Sequence, residues 1–283
     1  MANSSAFNLE SMVVNTKAAA VYAAFESSLF LPGAIIPMVN VPAGSATAQI
    51  PFLNEGSAAE VDSAASAFGA DDFTSNAITD TSRTIPVKVY ASRTILRDVG
   101  AIDPQEVGRV LGNAVSKKFD ADVTAIMTTG NFSTHTAITG SGGSSLLVAG
   151  DMFKAAATLR GAGVGEKLYA VLHPQQVFEL MKNMTNSSFA GSNAQNEAMA
   201  NGYVGTVAGI DVYQSYQVGS DGGTGWNGLV FGADAMRIAM FKNVELEVQR
   251  RASAVGNDLV ANLHAGVGLV DPNRGVIITS EGF

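Results

Sequence analysis

No cysteine occurs among the 283 residues. That excludes a disulfide framework, a zinc-thiolate site and a thiol nucleophile, so stability has to come from packing and association. Charge is also scarce, at 15% of residues against 47% hydrophobic, with 30 glycines. This is a globular composition, and the shortage of charge implies that much of the surface is covered by something other than water, as in a self-associating protein. No apolar stretch approaches bilayer length. The start, "MANSSAFNLESMVV", has no basic segment followed by an apolar one, so a soluble chain with no membrane partner and no secretion signal is expected. Cations are missing from residue 18 to residue 82, where Glu26, Glu55, Glu60, Asp62, Asp71, Asp72 and Asp80 supply −7 of the net charge of −8. Reading nucleic acid directly requires a basic stripe that neutralises phosphates, and this imbalance argues against it.

A chain of this length suggests two packed domains, or one domain with large insertions. Residues 1–32 read as an arm without a core of its own, which must lean on something else. "SATAQIPFL" alternates with Ala46, Ala48, Ile50 and Phe52 on one face, and "RTIPVKVYAS" does the same with Ile85, Val87, Val89 and Ala91. Pro51 and Pro86 confine both strands to an edge or to a free two-stranded ribbon, because proline has no ladder donor. Between them lie 29 residues rich in Ala, Ser, Gly and acid, the pattern of a long projecting hairpin.

Asp103-Pro104-Gln105-Glu106 carries an N-cap carboxylate, a proline at the first helical position and a capping-box acid. Val107, Val110, Leu111, Ala114, Val115, Phe119, Val123, Ile126 and Met127 then form a stripe of helical period. This predicts a helix of about 25 residues, roughly 37 Å long. Beyond the "GSGGSS" connector, helix "GDMFKAAATLRGAG", strand "KLYAVL", helix "PQQVFELMKNM", strand "GIDVYQSYQV" and strand "GLVFGA" predict a small sheet covered by helices. "VELEVQRR" and the run from Leu259 to Val270 alternate cleanly and predict a long hairpin around "ASAVG", which needs a packing partner.

Candidate chemistry is thin. His173 stands where a strand gives way to a helix, a common position for catalysis in α/β enzymes. However, His173-Pro174-Gln175-Gln176 repeats the capping layout of Asp103-Pro104-Gln105-Glu106, and no nucleophile adjoins it. His135, His173 and His264 share no metal-ligand spacing, and no G-x-S-x-G elbow occurs. "GAGVGE" at 161–166 follows a helix and precedes a strand, the reverse of a dinucleotide loop, so it reads as a helix stop. Asp71-Asp72 and Asp120/Asp122 read as solvated carboxylates. No cofactor, metal or catalytic residue is expected.

The order of arm, projecting hairpin, long helix, α/β unit and closing hairpin resembles the major capsid protein of tailed bacteriophages, the Hong Kong ninety-seven fold. The resemblance rests most on "LYAVLHPQQVFELMKNMTN" and on "GLVFGADAMRIAMFKNVELEVQRRASAVGNDLVANLHAGVGLVDPNRGVIIT", and it covers essentially the whole chain. It implies an α+β fold with an N-terminal arm at 1–32 and an extended-loop hairpin with flanking strands at 33–92. A peripheral domain would span 93–146 and 244–268, with a spine helix at 103–128, and an axial domain would span 147–243 and 269–283. Residues near 186–204 would form a loop at the capsomer centre.

The implied role is assembly of hexamers and pentamers into an icosahedral virion capsid around double-stranded DNA, in the cytoplasm of a bacterial host. Implied partners are a separate scaffolding protein, a portal and a decoration protein. In this family the extended loop of one subunit lies across its neighbour. On that basis Glu55, Glu60, Asp62, Asp71 and Asp72 are expected to face Arg93, Arg97, Arg109, Lys117 and Lys118 of the next subunit. The isopeptide weld of some relatives uses a lysine in that loop, and here no lysine lies between Lys17 and Lys88. Two other readings stand beside this one: an encapsulin-type bacterial nanocompartment shell, and a soluble α/β enzyme built around His173.

Overall fold

The computed structural model describes residues 15–24, 28–42, 45–51, 82–97, 104–186, 205–220 and 225–281. Two sheets organise the fold. The first has the order β1-β10-β11-β4 and is built on the long antiparallel pair β10 (Met236–Arg251) and β11 (Gly256–Leu269), flanked by β1 (Met38–Asn40) and β4 (Lys88–Arg97). The predicted closing hairpin is present, but its first strand begins at Met236 instead of Val244. The alternation of Met236, Ile238 and Val244 toward the core simply continues through "MRIAMFKN", across a register shift between Met240 and Glu245.

On the inner face of this sheet lies α2 (Pro104–Thr124), 21 residues long. Its Leu111, Val115, Phe119 and Val123 are buried against Leu246, Leu259, Ala261 and Leu263, and the Tyr90 ring meets Phe119 edge-on at 5.6 Å. Each such buried side chain contributes about 1.5–3 kcal/mol of transfer free energy. The helix stops short of the expected Thr128 because its last turn tightens, with Met127 N–H donating to the Thr124 carbonyl. The expected cap, Asp103, lies outside the described residues.

The apolar stripe also differs from expectation. Val110 is 65% exposed and Ala114 is exposed, while Gly108, Gly112, Ser116 and Asp120 form a second buried row at four-residue spacing. What covers that row is α1 (residues 15–24). A Cβ on Gly108 would collide with the Thr16 carbonyl oxygen, and one on Gly112 with that of Ala20, so the two helices cross backbone to backbone. The arm therefore does lean on the body. Downstream of α1, the chain inserts Phe30, Leu31, Ile35 and Ile36 into the main core.

β2 (Thr47–Ile50) and β3 (Arg83–Pro86) form the expected separate two-stranded ribbon, with Ala48, Ile50 and Ile85 buried. Phe52 and Pro51's neighbours up to residue 81 lie outside the described residues. The second strand is not continuous: after Val87, whose N–H donates to the Ala46 carbonyl, the chain leaves the ribbon to pair with β11. Pairing with a new partner reverses the inward face, so Tyr90 is buried while Val89 and Ala91, expected inside, point outward.

The second sheet has the order β5-β12-β9-β6-β8-β7, from β5 (Ile138–Thr139), β6 (Leu168–Leu172), β7 (Thr206–Val207), β8 (Ile210–Gln214), β9 (Gly225–Gly232) and β12 (Gly275–Glu281). Only β6 with β8 and β5 with β12 run parallel. Leu168, Ala170 and Leu172 bury against α3 (Ala149–Gly161) and α4 (Pro174–Asn186), as the helix-covered reading predicts. Val171, Leu229, Phe231 and Ile277 face the other way, into the same core as α2 and the first sheet. The predicted stop in "GAGVGE" is Gly163, at φ +85°, which ends α3 in the left-handed region.

Gly→Ala in an ordinary helix stabilises by about 0.5–1 kcal/mol. Here Gly112→Ala is expected to destabilise by about 1–3 kcal/mol, because the added methyl pushes α1 off α2. A denaturant midpoint at or above that of the parent protein would contradict the close crossing.

Candidate intersubunit surface

His173 is settled by local geometry. It is the N-cap of α4: its Nδ1 accepts the Gln175 N–H at 3.3 Å, and its own N–H donates to Gln176 Oε1 at 3.1 Å. Pro174 at the first position needs no acceptor. Gln176 is fully buried and its Nε2 donates to the carbonyls of Trp226, at 2.9 Å, and Ile278, which fastens the helix start to β9 and β12. The imidazole stacks on Trp226 with centroids 3.6 Å apart, and this partial burial lowers its pKa from the ordinary histidine value. Among the described residues no three His, Asp or Glu side chains are placed to hold a metal ion, and no helix is long and apolar enough to cross a membrane.

The predicted contact residues fall into two sets. Glu55, Glu60, Asp62, Asp71 and Asp72 lie outside the described residues. The cations occupy two adjacent elements but not one face. Arg109, Lys117 and Lys118 are exposed on α2, whereas Arg93 sits on the outer face of β4, beyond the sheet from α2. Arg97 ends β4 directly across from Gly256.

Three of these cations already have partners within the chain. Arg93 makes a bidentate pair with Asp258, Nε to Oδ1 at 2.8 Å and Nη2 to Oδ2. Arg109 pairs with Glu106 at 3.0 Å, and Lys118 with Asp122 at 3.0 Å. The sequence signalled the last two as helix neighbours, but nothing linked Arg93 to an aspartate 165 residues away.

Asp120 and Asp122 are not solvated. Residues two apart on a helix point to nearly opposite sides, so one faces the arm and the other the sheet edge. Asp120 is 5% exposed and accepts the Ser28 hydroxyl at 2.6 Å and the Leu29 N–H at 3.0 Å, pinning the arm where it leaves α1. Burial raises its pKa, against the pull of these donors. Asp122 accepts Lys88 Nζ at 2.9 Å, Tyr90 Oη at 3.1 Å and Lys118 Nζ. Partial burial works against ionisation there, but the three donors outweigh it and hold the carboxylate below its usual range. Glu179, fully buried in α4 and accepting the Leu147 N–H at 2.9 Å, is raised by burial.

The surface thus offers exposed cations, three of them already paired within the chain. Residues 89–278 match the family model for phage capsid protein. The chain belongs to this family. No curated protein matches the sequence. Among solved structures, the Ralstonia phage GP4 capsid superposes with a TM-score of 0.65 at 12% identity, covering 89% of this chain and 88% of that one. The capsid of cyanophage P-SCSP1u gives 0.62 at 17% identity, covering 87% and 86%. A virus-like particle from Pyrococcus furiosus gives 0.61 at 9% identity, covering 94% and 98%. The α+β tailed-phage capsid fold expected from the sequence is therefore the fold of this chain. As a member of a family of virion shell proteins, it is a structural protein and not an enzyme.

Raised and lowered carboxylates make opposite predictions for stability. With Asp120 and Glu179, the folded chain binds protons more tightly than the unfolded one, so stability declines as pH rises from the ordinary carboxylate value through the raised one. With Asp122 and Asp258, lowered chiefly by Arg93 in the latter case, stability is present above the ordinary value and lost as pH falls through the lowered one. Asp120→Asn and Glu179→Gln should each flatten the decline that begins at the ordinary carboxylate value, read as urea midpoint against pH. Unchanged slopes in both variants would count against burial as the cause.

Proposed function

We propose that this chain is the major capsid protein of a tailed bacteriophage, assembling as hexamers and pentamers into an icosahedral head that encloses double-stranded DNA. The observation that carries this reading is the family match over 89–278, together with a capsid-type fold over more than four-fifths of the chain. A net charge of −8 gives the chain no overall electrostatic attraction for DNA, which suits a container that must release its contents. Assembly in the bacterial cytoplasm, with a scaffolding protein, a portal and a decoration protein as partners, belongs to the same reading.

Within it, 1–32 is the arm and 33–92 the extended loop with its flanking strands. The peripheral domain is 93–146 with 244–268, and the axial domain is 147–243 with 269–283. The acidic stretch carrying Glu55, Glu60, Asp62, Asp71 and Asp72 lies across a neighbouring subunit and faces its Arg93, Arg109 and Lys118. Those side chains are 56%, 60% and 67% exposed, so they can meet a second carboxylate while keeping their in-chain partners, of which Asp258 and Asp122 are too covered to be left alone. Arg97 and Lys117 extend the same target. Because Arg93 and α2 lie on opposite sides of the sheet, the stretch has to pass over the edge of β4 to reach both. Each rim pair contributes only about 0–1 kcal/mol, and together they set register and suppress wrong docking.

A second reading, an encapsulin-type nanocompartment shell, draws on the likeness to the Pyrococcus furiosus virus-like particle. Contents decide between them: a cargo enzyme inside purified particles favours the nanocompartment, and a genome with a scaffold favours the phage head.

Sedimentation and negative-stain imaging of the purified chain are expected to show closed megadalton particles, dissociable by hot detergent because no lysine between Lys17 and Lys88 is available for an isopeptide weld. A discrete small oligomer would overturn the shell. Replacing Glu60 and Asp62 together by Lys should disturb particle formation far more than the thermal midpoint, and normal particles from that variant would sink the charge-docking part.

A further inference from the structure

The two sheets are joined by two crossovers that lie side by side. β9 passes into β10 through a single 3-10 turn at Ala233–Ala235, and β11 passes into β12 through another at Pro272–Arg274. The strands are paired antiparallel on both sides of this point, β9 with β12 and β10 with β11. At the junction itself the ladder is interrupted: the Ala235 carbonyl accepts from Val270 N–H at 2.9 Å and from Asp271 N–H at 3.2 Å. With the ladder interrupted there, the angle between the sheets rests on the apolar core they share and on the side chains gathered at the crossovers.

One side chain from outside the ribbon reaches both crossovers. Glu166 stands in the short connection from α3 to β6, whose position is held by the Arg160 guanidinium bonding the Val164 carbonyl at 2.7 Å. Its Oε2 accepts the Asp234 N–H of the first crossover at 3.2 Å, and its Oε1 accepts Nη1 of Arg274 in the second at 2.9 Å. Arg274 also bonds Asp271 at 3.0 Å, and Arg237 pairs with Asp234 at 2.6 Å; Arg274 stands 3.9 Å from Asp234 across the gap, and Glu166 bridges the two crossovers with its shorter bonds. Two of the three acids are well covered, with side-chain exposures of 19% for Glu166 and 8% for Asp271, while Asp234 is 47% exposed. Space for the bridge comes from Gly232, where any Cβ would overlap the Glu166 carboxylate.

We infer that Glu166 is a hinge lock: by bracketing Asp234 and Arg274 it sets the angle between the two sheets, and releasing it frees one sheet to turn against the other. An ordinary stabilising ion pair would, on removal, lower the unfolding midpoint and leave the native angle alone. A lock changes the angle while each sheet stays folded. This holds whether or not the chain builds a shell, because every group involved lies within one chain.

Absence of native cysteine allows labels to be placed at will. Spin labels on Lys154→Cys, in α3, and Gln249→Cys, near the end of β10, report the inter-sheet distance. Labelled chain is diluted into excess unlabelled chain so that only the within-chain pair is read. The parent is expected to give one narrow distance population, and Glu166→Gln a shifted or broadened one, with amide protection in β6 and β11 unchanged. Lys167→Met, which removes the neighbouring Lys167–Asp211 pair outside the cluster, is expected to match the parent. A parent-like distribution in Glu166→Gln overturns the proposal. Should that variant fail to fold, Arg274→Gln, which removes one of the two groups that Glu166 brackets, is measured in the same way. A shifted or broadened distribution there supports the lock, and a parent-like one overturns it.

Discussion

A single antiparallel pair of strands runs through this molecule from one end to the other, and the remaining elements hang on it. β12 and β9 are neighbouring inner strands of one sheet, and β10 with β11 forms the centre of the other. β4, β5 and β6 pair directly with one half or the other, β8 and β7 join through β6, and the second sheet closes only with β12 in place. The main apolar cluster follows the same line, from Leu259 and Leu263 through Phe119 and Met127 to Phe231 and Ile277. Two sheets therefore share one core. How they sit against each other is set by that common packing, with the polar residues of the two crossovers at its margin.

The polar residues of the interior work as fasteners. Asp120 holds the arm, Asp122 ties α2 to β4, Gln176 ties α4 to two strands, and Asp151 caps α3 by accepting from Val148 N–H at 3.0 Å and from the Ser141 backbone and hydroxyl. Each has its hydrogen-bonding capacity taken up by what it holds: backbone groups for Asp120, Gln176 and Asp151, and the side chains of Lys88, Tyr90 and Lys118 for Asp122. The result suits a protein whose task is to keep its shape while it is pressed against copies of itself. His173 illustrates the point, since its ring is engaged on both sides, by Trp226 and by the first amides of α4.

Local signals in the sequence located the elements well where periodicity and capping act within a few residues. The proline-started helices, the alternating closing hairpin and the proline-edged ribbon are all present. Errors cluster where a distant segment chose the face. The stripe on α2 was read as purely apolar, although the buried row is set by α1 seating on Gly108 and Gly112. The strand through Val87 was read as one, although it changes partner and therefore face. For the contact surface, the acidity of residues 52–81 was legible, and so were the cations of α2. The pairing of Arg93 with Asp258 was not, because no local pattern relates residues so far apart.

By itself the sequence determined the class and order of elements, the absence of thiol chemistry and of a lysine weld in the long loop, and the charge asymmetry. These depend on residue type and short spacing alone. Only the tertiary structure decided that Asp120 and Asp122 serve opposite neighbours, that a small-residue row receives the arm, and that Glu166 bridges two crossovers. Those are contacts between segments tens to hundreds of residues apart, which exist only once the strand pair of the second half has brought the first half into place.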